Sequence, residues 1–284
     1  MVKIGTLNLK NRFLLAPMLE PNDIAFRLLC KKCGCGLVFT GMTNPQNKKE
    51  QILEDKPAMQ IFANNTKDIK NFIKKYDKSV SLWDFNLGCP SKLSKKLQHG
   101  AFLQKNIEEV KTILSEIRTS TEKPCTVKLR KSKYSIEIAK LAETLGFNAI
   151  IIHPRTIEQG YSGNPDYKFA IELKSNVKIP VIYSGNVNEK NVNKILKDFD
   201  FVMIGRYAIG NPNVFSKLTN KRIRIDFFDY LKLAKKYNLT YRQIKFQAMN
   251  FTKDKVNAKK IRRELINAKN IEEIEKIYVN FGNL

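Results

Sequence analysis

Eight short apolar runs, separated by longer amphipathic stretches, limit what this chain can fold into more than any other feature of its sequence. They lie at 12–18, 37–41, 58–63, 81–87, 125–130, 149–153, 181–184 and 201–205. Each is continuously apolar rather than alternating, as parallel strands covered on both faces are. The stretches between them have helical spacing. Ile69, Phe72 and Ile73 share one face of 68–75, and Val110, Ile113, Leu114 and Ile117 share one face of 107–118. Segments 136–145 and 192–199 repeat the pattern, and Gly146 reads as a helix C-cap. Eight strands alternating with helical segments predict an α/β chain, a (β/α)8 TIM barrel over 1–217. A doubly wound open sheet is the alternative, because closure leaves no trace in a sequence. After Phe215 the strand-like runs stop. Segments 230–236, 241–250, 257–266 and 271–278 read as helices, which predicts a C-terminal all-helical domain over 218–284.

Charge narrows the partners. The 284 residues include 51 Lys and Arg against 27 Asp and Glu, a formal net charge of +24. Such an excess attracts polyanions through the field of the whole molecule. It is concentrated in the tail: from Lys217 to Leu284 stand 17 basic and 7 acidic residues. Lys255, Lys259, Arg262 and Arg263 fall on one helical face, suited to phosphate contacts or simply solvated. A nucleic acid is the first partner expected. No apolar run approaches the ~20 residues of a membrane helix, and the N-terminus lacks a signal-peptide pattern. These features predict a soluble cytoplasmic protein with no membrane partner and no obligate protein partner.

Five cysteines form no disulfide framework. Cys30, Cys33 and Cys35 cluster, but burial on an apolar helix face and a helix-to-strand turn accounts for them, so no metal is expected. Cys89 differs. It stands just past a buried strand, between Gly88 and Pro90, in a turn. A thiol is mostly protonated at neutral pH, so it can act as a general acid without a neighbouring base.

A TIM barrel builds its active site at the C-terminal ends of its strands, and here those ends are polar. In order they carry Ala16-Pro17-Met18, Gln60, Asn86 with Cys89, Lys128, His153 with Arg155, Ser184-Gly185-Asn186 and Gly205-Arg206. Any one of them is easily explained as structure; together they make a site. The loops after strands seven and eight suit a phosphate, with Gly185 and Gly205 admitting backbone N–H groups and Arg206 supplying charge. Strand alternation points Lys128 into the barrel mouth, where it needs a negative partner: an anionic ligand, or a carboxylate such as Asp84 or Glu20. His99 is read as a surface contact.

These residues are similar to a known set. Asn86-Leu87-Gly88-Cys89-Pro90-Ser91-Lys92, followed by Gly100-Ala101, resembles the signature of the tRNA-dihydrouridine synthases. Ala16-Pro17-Met18 with Asp23 and Phe26-Arg27 resembles their first strand and helix. Gln60, Lys128, His153, Arg155-Thr156, Gly205-Arg206 and Gly210-Asn211-Pro212 match in order, and Arg262-Arg263-Glu264-Leu265 is similar to their helical domain. The resemblance implies flavin mononucleotide (FMN) reduced by NADPH, and a tRNA uridine reduced to dihydrouridine. It implies Cys89 as the proton donor to C5, opposite hydride delivery to C6. Gln60, Lys128 and His153, with the Ala16–Met18 segment, would bind the flavin. Ser184, Gly185, Asn186, Gly205 and Arg206 would hold its phosphate. Asn86, Lys92 and Arg155 would meet the substrate. The family usually has Gly where Glu20 stands, often an acid where Gly41 stands, Gly where Gln98 stands and Asp where Asn186 stands. Two other readings use the same residues: an FMN barrel acting on a free pyrimidine, like dihydroorotate dehydrogenase, and a non-catalytic RNA-binding barrel. The basic tail argues against the first. The presence of both Cys89 and a flavin-like site argues against the second.

Overall fold

The computed structural model describes residues 2–18, 22–47, 50–253 and 255–282. The chain opens with a hairpin, β1 (Val2–Ile4) and β2 (Leu7–Leu9), turned at Gly5 with φ +54°. Eight parallel strands follow: β3 (Phe13–Leu15), β4 (Leu37–Thr43), β5 (Ala58–Ile61), β6 (Leu82–Leu87), β7 (Cys125–Arg130), β8 (Ala149–His153), β9 (Val181–Ser184) and β10 (Phe201–Ile204). They close into a barrel, with β10 pairing both β9 and β3. The sheet therefore has no free edge and is not a doubly wound open sheet. All eight expected strands are present; the hairpin was not expected. Its strands are only three residues each, although their alternation around Gly5-Thr6 is a hairpin pattern.

Helices cover the barrel: α1 (Ile24–Lys32), α2 (Ile69–Tyr76), α3 (Lys92–Leu97), α4 (Ile107–Thr119), α5 (Ser135–Thr144), α6 (Tyr167–Ser175), α7 (Val192–Asp198) and α8 (Asn213–Leu218). Among the described residues, the β4–β5 connection has none. Strand alternation divides the apolar residues in two. Trp83, Phe85, Leu87, Val127, Leu129, Ile150 and Ile152 face outward and pack under the helices. Leu14, Leu37, Phe39, Leu82, Ile151, Ile182 and Met203 fill the barrel, and Ile4 and Leu9 of the hairpin plug its lower end. Nearer the C-terminal end, the same inward parity brings in Gln60, Asp84, Asn86, Thr126, Lys128, His153 and Ser184. The apolar filling stops where the polar layer begins.

Four helices complete the chain: α9 (Phe227–Lys236), α10 (Tyr241–Phe251), α11 (Ala258–Asn267) and α12 (Ile271–Gly282). Two begin with capping boxes, Asp226 with Asp229 and Thr240 with Gln243. Their core is continuous with that of the barrel. Phe26 and Leu29 of α1 belong to one apolar cluster with Phe227, Tyr230 and Ile244, and each fully buried side chain there contributes ~1.5–3 kcal/mol. Asp23, the N-cap of α1, accepts from Phe26 N–H at 2.8 Å and receives Gln247 Nε2 at 3.3 Å. Burial raises its carboxyl above the usual range. Gly210, at φ +67°, lies so close to Asn250 that a Cβ would collide with its carbonyl oxygen. The helical domain is thus seated directly on the loop that follows β10.

Candidate active site

The polar rim of the barrel has two sides, built differently. On one side stands the turn after β6. Asn86 Oδ1 accepts the backbone N–H groups of Gly88 at 3.1 Å and Cys89 at 3.0 Å. The Cys89 carbonyl accepts from Ala101 N–H at 3.1 Å. Gly100, at φ +59°, presses on the turn: a Cβ there would meet Cys89 O at 2.8 Å and Cys89 Cβ at 3.0 Å. Only glycine fits, in conformation and in space. Cys89 is half-buried while the other four cysteines are buried. Burial raises the thiols of Cys35 and Cys125 to about 12, so they keep their protons.

Behind the turn the amides of Asn86 and Gln60 are joined. Asn86 Nδ2 donates to Gln60 Oε1 at 2.7 Å, and Gln60 Nε2 donates to Asp84 Oδ2 at 2.6 Å. Gln60 is fully buried. The amide expected on a flavin is therefore engaged, at both ends, inside the protein. Arg130, the last residue of β7, ties this side to the next loop: Nε donates to Gly88 O at 2.9 Å and Nη1 to the carbonyls of Thr156 and Gly160. Lys92, the first residue of α3, is exposed beyond the cysteine turn.

On the other side is a cavity of about 440 Å3, within the usual range for a cofactor site. Ala16, Pro17, Met18, Lys128, His153, Ser184, Gly185, Asn186, Gly205 and Arg206 all line it, as expected from the strand ends. Tyr161, Asn188 and Tyr207 line it as well; they lie in loops whose path the sequence does not reveal. Tyr161 is 57% exposed and stands over the entrance, with the Arg206 guanidinium 4.3 Å from its ring centre and His153 edge-on at 6.2 Å. A Cβ at Gly185 would press on the Pro165 ring, 3.0 Å away.

None of the cavity's described lining residues is acidic. Lys128 makes no ion pair with any described residue, and Asp84, one of the two expected carboxylates, bonds Gln60 and Thr126 instead. Glu20 lies outside the described residues. Burial, then Arg130, lowers the Lys128 ammonium to about 8. His153 is pushed down to about 2, first by burial and then by Lys128, Arg130, Arg155 and Arg206, so its imidazole is neutral. Its Nδ1 is buried without a partner among the described residues, as is Nη1 of Arg155. Arg155, expected to face a substrate, is buried; its other nitrogens hold the 162–163 backbone and donate to Asn186 Oδ1 at 3.1 Å. His99, expected on the surface, is only 4% exposed and sits edge-on to Phe62. Two residues at odds with the family pattern have a shared conformation: Gln98 and Asn186 both sit at φ +52°. Glycine, the family's usual residue at the first, avoids the ~1–2 kcal/mol cost there.

The dihydrouridine synthase (Dus) family model matches residues 14–278, the barrel and nearly all of the tail. The chain belongs to the dihydrouridine synthase family. It is 32% identical over 234 residues to tRNA-dihydrouridine synthase B of Pasteurella multocida, covering 75% of this chain and 70% of that one. It is likewise 32% identical to tRNA-dihydrouridine synthase B of Escherichia coli, covering 76% and 74%. Among solved structures, an old yellow enzyme homologue from Zymomonas mobilis superposes with a TM-score of 0.54 at 12% identity, over 81% of this chain and 94% of that one. Morphinone reductase in complex with tetrahydroNAD superposes at 0.52 and 12%, over 80% and 92%. At that identity these two show a shared fold. In this Dus-family chain the cysteine turn and the cationic cavity meet at Lys128, whose ammonium feels both Asp84 and Cys89.

Proposed function

We propose that this chain reduces uridine in tRNA to dihydrouridine with FMN as cofactor and NADPH as reductant. The observation that carries the reading is the pairing of a cavity lined by cations, without an acid among its described lining residues, with a thiol clamped on the same rim. The family and the named activity of its relatives agree with it. FMN fits the cavity on this structure's own terms: cations without a carboxylate among the described lining, and orphaned buried nitrogens on His153 and Arg155. Ser184, Gly185, Asn186, Gly205 and Arg206 hold the phosphate. The Ala16–Met18 segment, Lys128 and His153 hold the ring.

Bound FMN supplies the hydride that C6 of the uracil receives. The protein does the rest. Cys89 holds a proton at Sγ and passes it to C5. Lys128 and Arg130 lie within electrostatic reach of the thiolate left behind, which they stabilise until solvent returns the proton. Asn86 acts through the cysteine turn. Lys92 and Arg155 serve the substrate side, Lys92 by contact with the RNA and Arg155 by fixing the loop that carries Tyr161. The uracil must leave its stack to reach this depth, and the basic helical domain, 218–284, grips the folded RNA by shape and backbone.

The test is a visible spectrum of the purified protein. A flavin band bleached by NADPH and restored by unmodified tRNA is the expected result. A protein that takes up no flavin when FMN is added overturns the reading. A flavin that free uracil or orotate reoxidises, but tRNA does not, moves the activity to a small pyrimidine.

A further inference from the structure

Asp84 has no direct part in the reaction proposed above, yet it is a fully buried acid in the polar layer of the barrel. A charge in such a place is costly unless its oxygens are hydrogen-bonded. Both are: Oδ1 accepts from Thr126 Oγ1 at 2.6 Å, and Oδ2 accepts from Gln60 Nε2 at 2.6 Å. From Gln60 the bonds continue in one line, through Asn86 Nδ2 to Gln60 Oε1, and from Asn86 Oδ1 to the N–H groups of Gly88 and Cys89.

The direction of this line is fixed by its ends. An ionised carboxylate only accepts, and a backbone N–H only donates. Between them, two amides can be ordered in a single way. Gln60 must turn its NH2 to Asp84, so its oxygen faces Asn86. Asn86 must then turn its NH2 to Gln60, so its oxygen faces the cysteine turn. Reversal of either amide would set donor against donor in a buried site, at a cost of ~1–3 kcal/mol for each group left unpaired. We propose that Asp84 is a positioning residue, whose acceptor oxygen closes and locks a two-amide relay that holds the Cys89 turn in its reactive place. The inference rests on the reading of Cys89 as proton donor.

Burial raises the Asp84 carboxyl to about 7, so it takes up a proton readily. The relay tolerates this. The Thr126 hydroxyl accepts as well as donates, so a proton on Oδ1 finds a partner there and Oδ2 still accepts from Gln60. The same reasoning makes the amide variant instructive. In Asp84→Asn, the amide oxygen can take the place of Oδ2 while its NH2 donates to Thr126, and the direction of the relay survives.

The test compares Asp84→Asn, Asp84→Leu and Asp84→Ala in the FMN-loaded full chain. Three quantities are measured: FMN affinity with the rate of flavin reduction by NADPH, the rate of Cys89 alkylation by iodoacetamide, and the single-turnover rate at which tRNA reoxidises the flavin. Cys89 is the single cysteine that is not buried, so alkylation reads its turn directly. Asp84→Leu and Asp84→Ala are expected to keep FMN binding and NADPH reduction within about twofold, alkylate several-fold faster and slow reoxidation about 10- to 100-fold, as misplacement of a reacting group does. Asp84→Asn is expected to restore most of both rates. If Asp84→Leu does not fold, Asp84→Ala carries the comparison with Asp84→Asn. The proposal is overturned if the apolar variants alkylate and react like wild type, if their loss lies in FMN binding, or if Asp84→Asn is as slow as they are. A wild-type flavin that tRNA never reoxidises overturns the reaction reading instead, and alkylation still decides the relay.

Discussion

The two sides of the barrel mouth contrast in how complete they are. On the β5–β6 side, the polar groups of Gln60, Asn86 and Asp84 have partners within the protein, and the Cys89 backbone is held at its N–H and its carbonyl. On the β8–β10 side, cations crowd a cavity with no acid among its described lining residues, and buried nitrogens of His153 and Arg155 have no partner among the described residues. A closed network is rigid before any ligand arrives, which is what a proton donor needs if its geometry is to match a transition state. An open, like-charged cluster is unfavourable until an anion enters, so it converts binding of a phosphate into local stability. The comparison assigns chemistry to the closed side and cofactor binding to the open one.

That assignment is broken most directly by Cys89→Ala. The variant is expected to bind FMN and accept electrons from NADPH as wild type does, and to lose about 10²- to 10⁴-fold in tRNA reduction, the range of a missing general acid. Stopped-flow reoxidation of the flavin measures it, and near-normal turnover would end the division of roles. On the open side, Arg206→Ala removes a charge-assisted contact worth ~1.5–3 kcal/mol. FMN affinity should fall about 10- to 100-fold by fluorescence titration, with flavin reoxidation in the saturated enzyme little changed. A drop in the chemical step of similar size would mean that the two sides are not separable. Lys128, where the sides meet, gives a pH signature. Its free-state pKa is lowered to about 8, and an anion beside it raises that value. FMN binding should therefore take up a proton as pH rises through about 8, and affinity should fall above it, by at most about tenfold per pH unit. Calorimetry in buffers of different ionisation enthalpy counts the proton; no uptake would place the anion away from Lys128. The smallest effect belongs outside both sides. Lys259 and Arg263 are exposed on α11, and replacing both with Ala should reduce the salt slope of tRNA binding by about 1–2, leaving FMN affinity unchanged.

Much of the barrel was legible because its strands are buried on both faces and so read as unbroken apolar runs. Runs of this kind, such as Ala149-Ile150-Ile151-Ile152-His153, also announce where the apolar filling ends, because a polar residue on the inward parity closes the strand. That is why Lys128, His153, Ser184 and Arg206 were identifiable as cavity residues from the sequence. The exceptions share a cause. Arg155 and Gln60 have the right composition and position for ligand contact, but their side chains are taken up by partners distant in sequence: the 162–163 backbone and Asn186 for one, Asp84 and Asn86 for the other. His99 carries no apolar pattern around it, and Phe62, distant in the sequence, packs against it. Tyr161 sits in a loop without periodicity.

By itself, the sequence determined the eight barrel strands, the helical character of the tail and the polar ends of the barrel, since strands buried on both faces read as unbroken apolar runs and helices impose a period of 3.6 on the chain. Closure of the sheet, the seating of α10 on Gly210 and the direction of the Asp84–Gln60–Asn86 line were decided by the tertiary structure alone. Each depends on which groups meet between segments far apart in the chain, and a hydrogen bond acquires its direction only when both of its partners are in place.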